Sequence, residues 1–313
     1  MADASISPHA SVEDVRLGVA DLDAMVGFYC DVLGLRRAPT ESDGTAHLSG
    51  DGRPPFLFGL KVIPDASRPP GRSTGLYHSA ILVPSRAWLG RLLRRLVVRG
   101  IALDGAADHR VSEALYLRDP EGNGLELYAD RPRETWPRAA GQIMMTTEPL
   151  DLDALMAEGG GGDGAWDRLP LGTRVGHVHL RVAALDRAEA FYRGVLGFDV
   201  TLRAYPGALF FSAGGYHHHV AANVWGSAGA SPPPPAATGL RSFAVRIPDA
   251  AELARIVRSA ERAQVKIEGS LDHGPGTAVT LQDWDGIRVV LIVDRPDDGD
   301  PGRETQGGTV THD

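Results

Sequence analysis

A chain of 313 residues with 40 acidic and 32 basic side chains carries a formal charge of −8 and has a pI near 5.8. That balance argues against a nucleic-acid or anionic-membrane surface, and no apolar run approaches the length of a membrane helix. Cys30 stands alone, so an intrachain disulfide is excluded. The opening residues lack a signal-peptide core, and a cytoplasmic location is the expectation.

In chain order, residues 1–10 read as a loose leader and 15–19 (Val-Arg-Leu-Gly-Val) as a short strand. Asp21 or Asp23 can cap a helix over 24–33, which Gly34 ends. Strand-like pieces follow at 46–48 and 56–62, giving β-α-β-β with room for one more strand. A second unit opens with the strand Leu76-Tyr77-His78-Ser79-Ala80-Ile81-Leu82-Val83. Ser85 precedes an amphipathic helix over 87–97, on which Arg91, Arg94, Arg95 and Arg99 are expected to be a solvated face. The unit closes with Leu115-Tyr116-Leu117-Arg118, an Asp-Pro-Glu-Gly-Asn-Gly turn and the strand Leu125-Glu126-Leu127-Tyr128. A Glu among such neighbours is costly in a sheet unless something pairs with it. A metal ion would, and His78 could be a second ligand to the same ion.

Residues 131–172 change character and read as a linker, with Gly159-Gly160-Gly161-Gly162-Asp163-Gly164 as its flexible part and a short helix near 150–156. The domains on either side are 11–130 and 173–295; the polar stretch 296–313 reads as a disordered tail. After the linker the opening pattern returns. Val182-Ala183-Ala184-Leu185-Asp186 with Phe191-Tyr192 and Val195-Leu196-Gly197 repeats Val19-Ala20-Asp21-Leu22-Asp23 with Phe28-Tyr29 and Val32-Leu33-Gly34 at the same offsets. The second halves match too, Asp283-Trp284-Asp285-Gly286 standing against Asp119-Pro120-Glu121-Gly122. The chain is therefore four copies of one β-α-β-β-β unit, two per domain.

This unit, with V-x-x-L and F-Y-x-x-V-L-G after its first strand and D-P-x-G-N-x-x-E at its last, resembles the vicinal-oxygen-chelate superfamily of glyoxalases, bleomycin-resistance proteins and type I extradiol dioxygenases. The resemblance implies an α+β fold: four βαβββ modules in two glyoxalase-like domains, with mixed sheets closing into cups around metal ligands from first and last strands. The first-strand ligand position is Asp14, His78, His177 and Ser242 in units one to four, and the last-strand Glu position is Glu126 in unit two and Val290 in unit four. Neither domain alone holds a full set. Pairing unit two with unit three gives His78, His177 and Glu126, a 2-His-1-carboxylate set suited to Fe(2+) with open positions. Asp14 and Ser242 read as degenerate positions, so units one and four would form a cup without metal.

Other roles follow from the resemblance. Tyr216-His217-His218-His219-Val220-Ala221, expected on the last strand of unit three, is similar to the H-H-x-x-A stretch whose second His is an acid/base beside bound oxygen. That residue is His218, or His219 if the strand slips by one. Tyr116, ten residues before Glu126, matches a substrate-binding Tyr, and His109 lies near a substrate-bonding His. His179 shares a strand face with His177 and reads as a wall residue; with His219 it joins the expected substrate contacts. The bland readings are a packed strand His, an exposed His-rich loop tip and a core Tyr. The activity implied is extradiol cleavage of a small aromatic diol by O₂, in a protein that can form a homo-oligomer. A glyoxalase-like isomerase would need a second Glu near 218–220, and a drug-sequestering protein no metal at all.

Overall fold

The computed structural model describes residues 5–39, 43–160, 168–269 and 277–293; the end of the Gly-rich stretch and the tail lie outside these. Unit one runs β1 (Ser11–Val19), α1 (Leu22–Gly27) with a π-type turn over Phe28–Val32, β2 (Arg36–Arg37), β3 (Ala46–Ser49) and β4 (Phe58–Val62). Unit two is β5 (Gly75–Leu82), α2 (Arg86–Val98), β6 (Gly105–Asp108), β7 (Ser112–Arg118) and β8 (Gly124–Asp130). A small hairpin, β9 (Arg138–Ala139) and β10 (Gln142–Ile143), and α3 (Leu152–Glu158) precede unit three. That unit is β11 (Arg174–Arg181), α4 (Leu185–Glu189) with its own π-type turn over Ala190–Val195, β12 (Asp199–Leu202), β13 (Ala208–Ser212) and β14 (Val220–Asn223). Unit four is β15 (Gly239–Arg246), α5 (Ala250–Arg262), β16 (Lys266–Glu268), β17 (Thr277–Gln282) and β18 (Arg288–Val293).

The units form two eight-stranded sheets, ordered β16-β17-β18-β15-β1-β4-β3-β2 and β12-β13-β14-β11-β5-β8-β7-β6. Unit one thus joins unit four, and unit two joins unit three. First strands meet antiparallel at each sheet centre, β1 on β15 and β11 on β5, while first and last strands within a unit run parallel.

Different contacts hold each half of the chain together, and they explain the repeated motifs. The Tyr29 hydroxyl donates to buried Asp119 at 3.2 Å, and Tyr192 donates to Asp283 at 3.1 Å. In the same turns Glu121 accepts the amides of Ala20 and Asp21 at 2.7 and 2.9 Å, and Asp285 accepts that of Ala183 at 3.1 Å. The Phe-Tyr and Asp-x-x-Gly motifs are therefore two ends of one lock between units one and two, and between three and four.

Strand alternation divides each strand between a core and a cup. Ile81, Leu125, Leu127, Val178 and Leu180 enter the main core together with Val15, Leu17, Phe243 and Leu291 of the other sheet. The opposite face of the second sheet presents Ala80, Leu82, Ala114 and Tyr128 to its cup.

Of the two candidate caps of α1, Asp21 takes the role, accepting the Ala24 amide. The arginine face of α2 is solvated only in part: Arg91 and Arg99 are exposed, whereas Arg95 is buried and donates to the carbonyls of Val32 and Asp31, and Arg94 and Arg91 donate to those of Met156 and Gly159. Helix-end carbonyls lack intrahelical partners, and these guanidinium groups supply them. Residues 5–10 are not loose, since Ile6 is buried and its amide donates to Gly197. The segment after β8 is packed as well, with Trp136, Ile143 and Met145 in a cluster with Phe210 and Ala221.

Candidate active site

One row across the second sheet sets the site. The register places Tyr116 of β7 opposite Glu126 of β8, Glu126 beside Ala80 of β5, and Ala80 beside His177 of β11. Ala80 has only a methyl group, so the Glu126 and His177 side chains reach toward each other across it. His78, two residues before Ala80 on the same face, pairs with His179 and on its other side with Gly124. Gly124 has no room for a side chain: an added Cβ would lie 2.1 Å from the Tyr77 carbonyl oxygen.

His78 Nε2 and His177 Nε2 lie 3.0 and 3.2 Å from the same oxygen, Oε2 of Glu126. All three residues are buried, and among the described residues theirs are the ligand-type atoms, within 4.8 Å of one another, that could hold a metal ion. Burial opposes the Glu126 charge, but the two imidazoles outweigh it and hold the carboxyl well below its usual range. Burial likewise pushes His177 down to about 4, against the pull of Glu126. An anionic carboxylate beside a neutral imidazole is the protonation state in which these groups bind a metal. Two imidazole nitrogens crowding one oxygen form a donor set that fits a divalent cation.

The triad borders a cavity of about 600 Å³. His78 and Glu126 line it, with His109, Tyr116, His179 and His218 and an aromatic wall of Tyr77, Tyr205, Phe210 and Trp225. His109 bonds the Thr146 carbonyl through Nδ1 and the Tyr116 hydroxyl through Nε2, both at 2.6 Å. A carbonyl only accepts, so Nδ1 carries the hydrogen and Nε2 accepts from Tyr116. Burial, then the charge of Glu126, raises the Tyr116 pKa well above normal, which keeps the phenol protonated. His179 is buried beside His78, ring centroids 4.9 Å apart, with no partner for its Nε2.

The three consecutive histidines do not lie on a strand. They form the turn entering β14, because the chain must cross from β13 after Gly214-Gly215, both at positive φ. The turn is nevertheless packed, not an exposed tip. His218 packs against His177 with centroids 4.0 Å apart and planes tilted by 49°, and it faces the cavity. Burial, then the surrounding imidazoles, depresses its pKa well below normal. His219 turns the other way, its Nδ1 accepting the Ala213 amide, and lines a separate cavity of about 160 Å³ with Arg133 and Arg174. His219 therefore lies outside the lining of the large cavity, because adjacent residues in this extended turn face opposite sides.

Sequence reasoning passed over His217 and Asp130. His217 is fully buried, bonding Asp130 through Nε2 at 3.0 Å and His218 through Nδ1 at 2.8 Å. Asp130 also accepts from Tyr216 at 3.0 Å, whose hydroxyl meets that of Tyr128 at 2.9 Å. The signal was available, since Asp130 continues the inward alternation Glu126, Tyr128, Asp130. In the first sheet, the equivalent places are held by Asp14, Ser242 and Val290, with Asp14 paired to Arg16 at 3.6 Å.

The model of the Glyoxalase/Bleomycin resistance protein/Dioxygenase superfamily matches residues 10–127 and 174–291. The chain belongs to this superfamily. It is 44% identical over 268 residues to a catechol-2,3-dioxygenase of Bacillus subtilis (strain 168), covering 84% of this chain and 92% of that protein. Among solved structures, a Bacillus subtilis subsp. subtilis str. 168 chain superposes with a TM-score of 0.62 at 15% identity, over 94% of this chain and 87% of that one. Glyoxalase I from Zea mays gives 0.56 at 15% identity, over 91% and 92%. At that identity the two structures speak for the superfamily fold alone. No helix among the described residues is long and apolar enough to cross a membrane.

Proposed function

We propose that this member of the superfamily is an Fe(2+)-dependent extradiol dioxygenase, opening the ring of a catechol-type aromatic diol with O₂. The observation that carries the reading is the convergence of His78, His177 and Glu126 on one point beside a cavity that also receives Tyr116, His109 and His218. The 44% identical relative named catechol-2,3-dioxygenase supports it.

His78, His177 and Glu126 would hold the iron, which supplies, when bound, open positions for a chelating diol and O₂. The chain's own groups then have separate tasks. His218, neutral by burial, accepts a proton from a diol hydroxyl at its cavity-facing nitrogen and can return one later. Tyr116, held protonated, gives its one hydrogen to His109 Nε2 and so presents lone pairs to the cavity, where a diol hydroxyl can donate to it. Tyr77, Phe210 and Trp225 offer faces and edges to the flat ring and keep water from it. His179 stands at the wall next to His78 as a polar contact for the substrate.

The register also weighs against a glyoxalase-type isomerase. Glu126 follows the ladder position of Ala80; the matching place opposite His179 on β14 is Ala221, which cannot be a second carboxylate ligand. The test is anaerobic loading with Fe(2+), addition of catechol and then O₂. Growth of the yellow absorbance of a ring-opened hydroxymuconic semialdehyde, lost in Glu126→Gln, is the expected result. Iron bound without ring opening across a panel of substituted catechols contradicts the reading.

A further inference from the structure

Resting on that reading of the site, we infer that Asp130 and His217 are positioning residues that dictate which nitrogen of His218 is bare toward the substrate. The chain of hydrogen bonds is short and buried, and each link has one direction. The Asp130 carboxylate is an acceptor only, so the 3.0 Å contact to His217 Nε2 places a hydrogen on that nitrogen. A neutral imidazole then has its lone pair on Nδ1. His217 Nδ1 meets His218 Nδ1 at 2.8 Å, a distance that requires one of the two to donate. With His217 accepting, His218 carries its hydrogen on Nδ1 and its Nε2 is a free base. Nε2 makes no hydrogen bond to the described residues, and the ring borders the large cavity.

The remaining contacts hold the relay in place. Tyr216 donates to Asp130 at 3.0 Å and stacks on His217 with centroids 4.0 Å apart; Trp136 covers His217 at 5.3 Å. Gly176 makes room for the Tyr128 hydroxyl that meets Tyr216, since a Cβ there would lie 1.7 Å from that oxygen. Asp130 is on β8, in unit two, and both histidines belong to unit three. The relay therefore crosses the same sheet centre as the triad, and aligning the triad aligns the base.

The decisive variant is Asp130→Asn. Its amide can donate to His217 Nε2, which reverses each link and leaves His218 with a hydrogen on Nε2, unable to accept a proton there. Wrong-tautomer substitutions of this kind and loss of a general base cost about 10²- to 10⁴-fold in rate. Two readouts are taken on the full chain. Ring ¹⁵N shifts of ¹⁵N-histidine-labelled protein loaded with diamagnetic zinc, assigned by the signal lost in His218→Gln, report the tautomer with no need of activity. With iron, kcat, KM for catechol and iron content are measured together.

The expected result is His218 bearing Nδ1–H in the parent and Nε2–H in Asp130→Asn, with kcat down at least about 100-fold. KM and iron content stay within about twofold. His217→Asn, whose side-chain oxygen can accept from His218 Nδ1, retains most of the activity that His217→Leu loses. A parent His218 with Nε2–H, an unchanged tautomer in Asp130→Asn, or equal losses in His217→Asn and His217→Leu overturns the inference. If the parent cleaves no catechol, the functional reading fails while the tautomer assignment is still decided by the ¹⁵N shifts.

Discussion

If His78, His177 and Glu126 share one ion, the metal must stabilise the folded chain, because these residues come from both halves and meet only in the native sheet. The perturbation is removal of the carboxylate by Glu126→Gln, which keeps the volume and discards the anion. A ligand bound by the native state alone adds about 2.7 kcal/mol at a hundredfold its Kd. For 313 residues, an unfolding entropy of about 2.1 cal/mol/K per residue gives about 0.7 kcal/mol per degree. The parent Tm should therefore rise by about 4 °C when metal is added to chelator-treated protein. Scanning calorimetry with zinc, or with Fe(2+) under argon, reads this directly. Glu126→Gln and His177→Gln should each show less than about 1 °C of shift relative to their own metal-free forms. An undiminished shift in both variants refutes the reasoning, because the stabilising ion would then sit elsewhere.

Three further outcomes follow from the packing. Burial, then the neighbouring His217, His177, Arg174 and Arg133, lowers the His219 pKa from 6.5 to about 3. The unfolded chain takes up a proton there that the native chain resists, so stability present above about pH 6.5 is lost as pH falls toward 3; urea unfolding of His219→Gln should show a shallower decline between pH 6.5 and 4.5 than the parent. Tyr192→Phe removes a donor to the buried Asp283 and should cost about 1–3 kcal/mol of unfolding free energy, with Tyr29→Phe costing a similar amount; no change in either means the motif lock is decorative. Gly176→Ala drives a methyl group into the Tyr128 hydroxyl, and a crystal structure should show Tyr128 displaced and its bond to Tyr216 broken.

The parts of this molecule that were legible in the sequence share a physical origin. The fourfold unit shows in Val-x-x-Leu, Phe-Tyr and Asp-x-x-Gly because Tyr29, Asp119, Tyr192 and Asp283 bond across units, and a two-ended lock leaves both ends in the sequence. Glu126 could be singled out because a carboxylate inside an apolar strand needs a partner. The pairing of unit two with unit three was also legible, since only that arrangement completes a ligand set. What escaped depends on geometry that no local pattern carries. Adjacent histidines read alike, yet the turn before β14 sends His218 to the cavity and His219 to another one. Asp130 meets His217 across a sequence separation of 87 residues. The arginines of α2 have a helical spacing that suits a wet surface, and only the neighbouring helix ends explain why Arg95 is buried. The segment after β8 looked like a spacer because its packing residues, Trp136, Ile143 and Met145, follow no strand or helix period.

The most direct measurement is an anomalous-scattering crystal structure of anaerobically iron-loaded protein, recorded on either side of the iron edge. One peak per chain, within coordination distance of His78 Nε2, His177 Nε2 and a Glu126 oxygen, is the result predicted here. A peak bound by residues of a single half of the chain, or iron absent from the space between β5, β8 and β11, would contradict it.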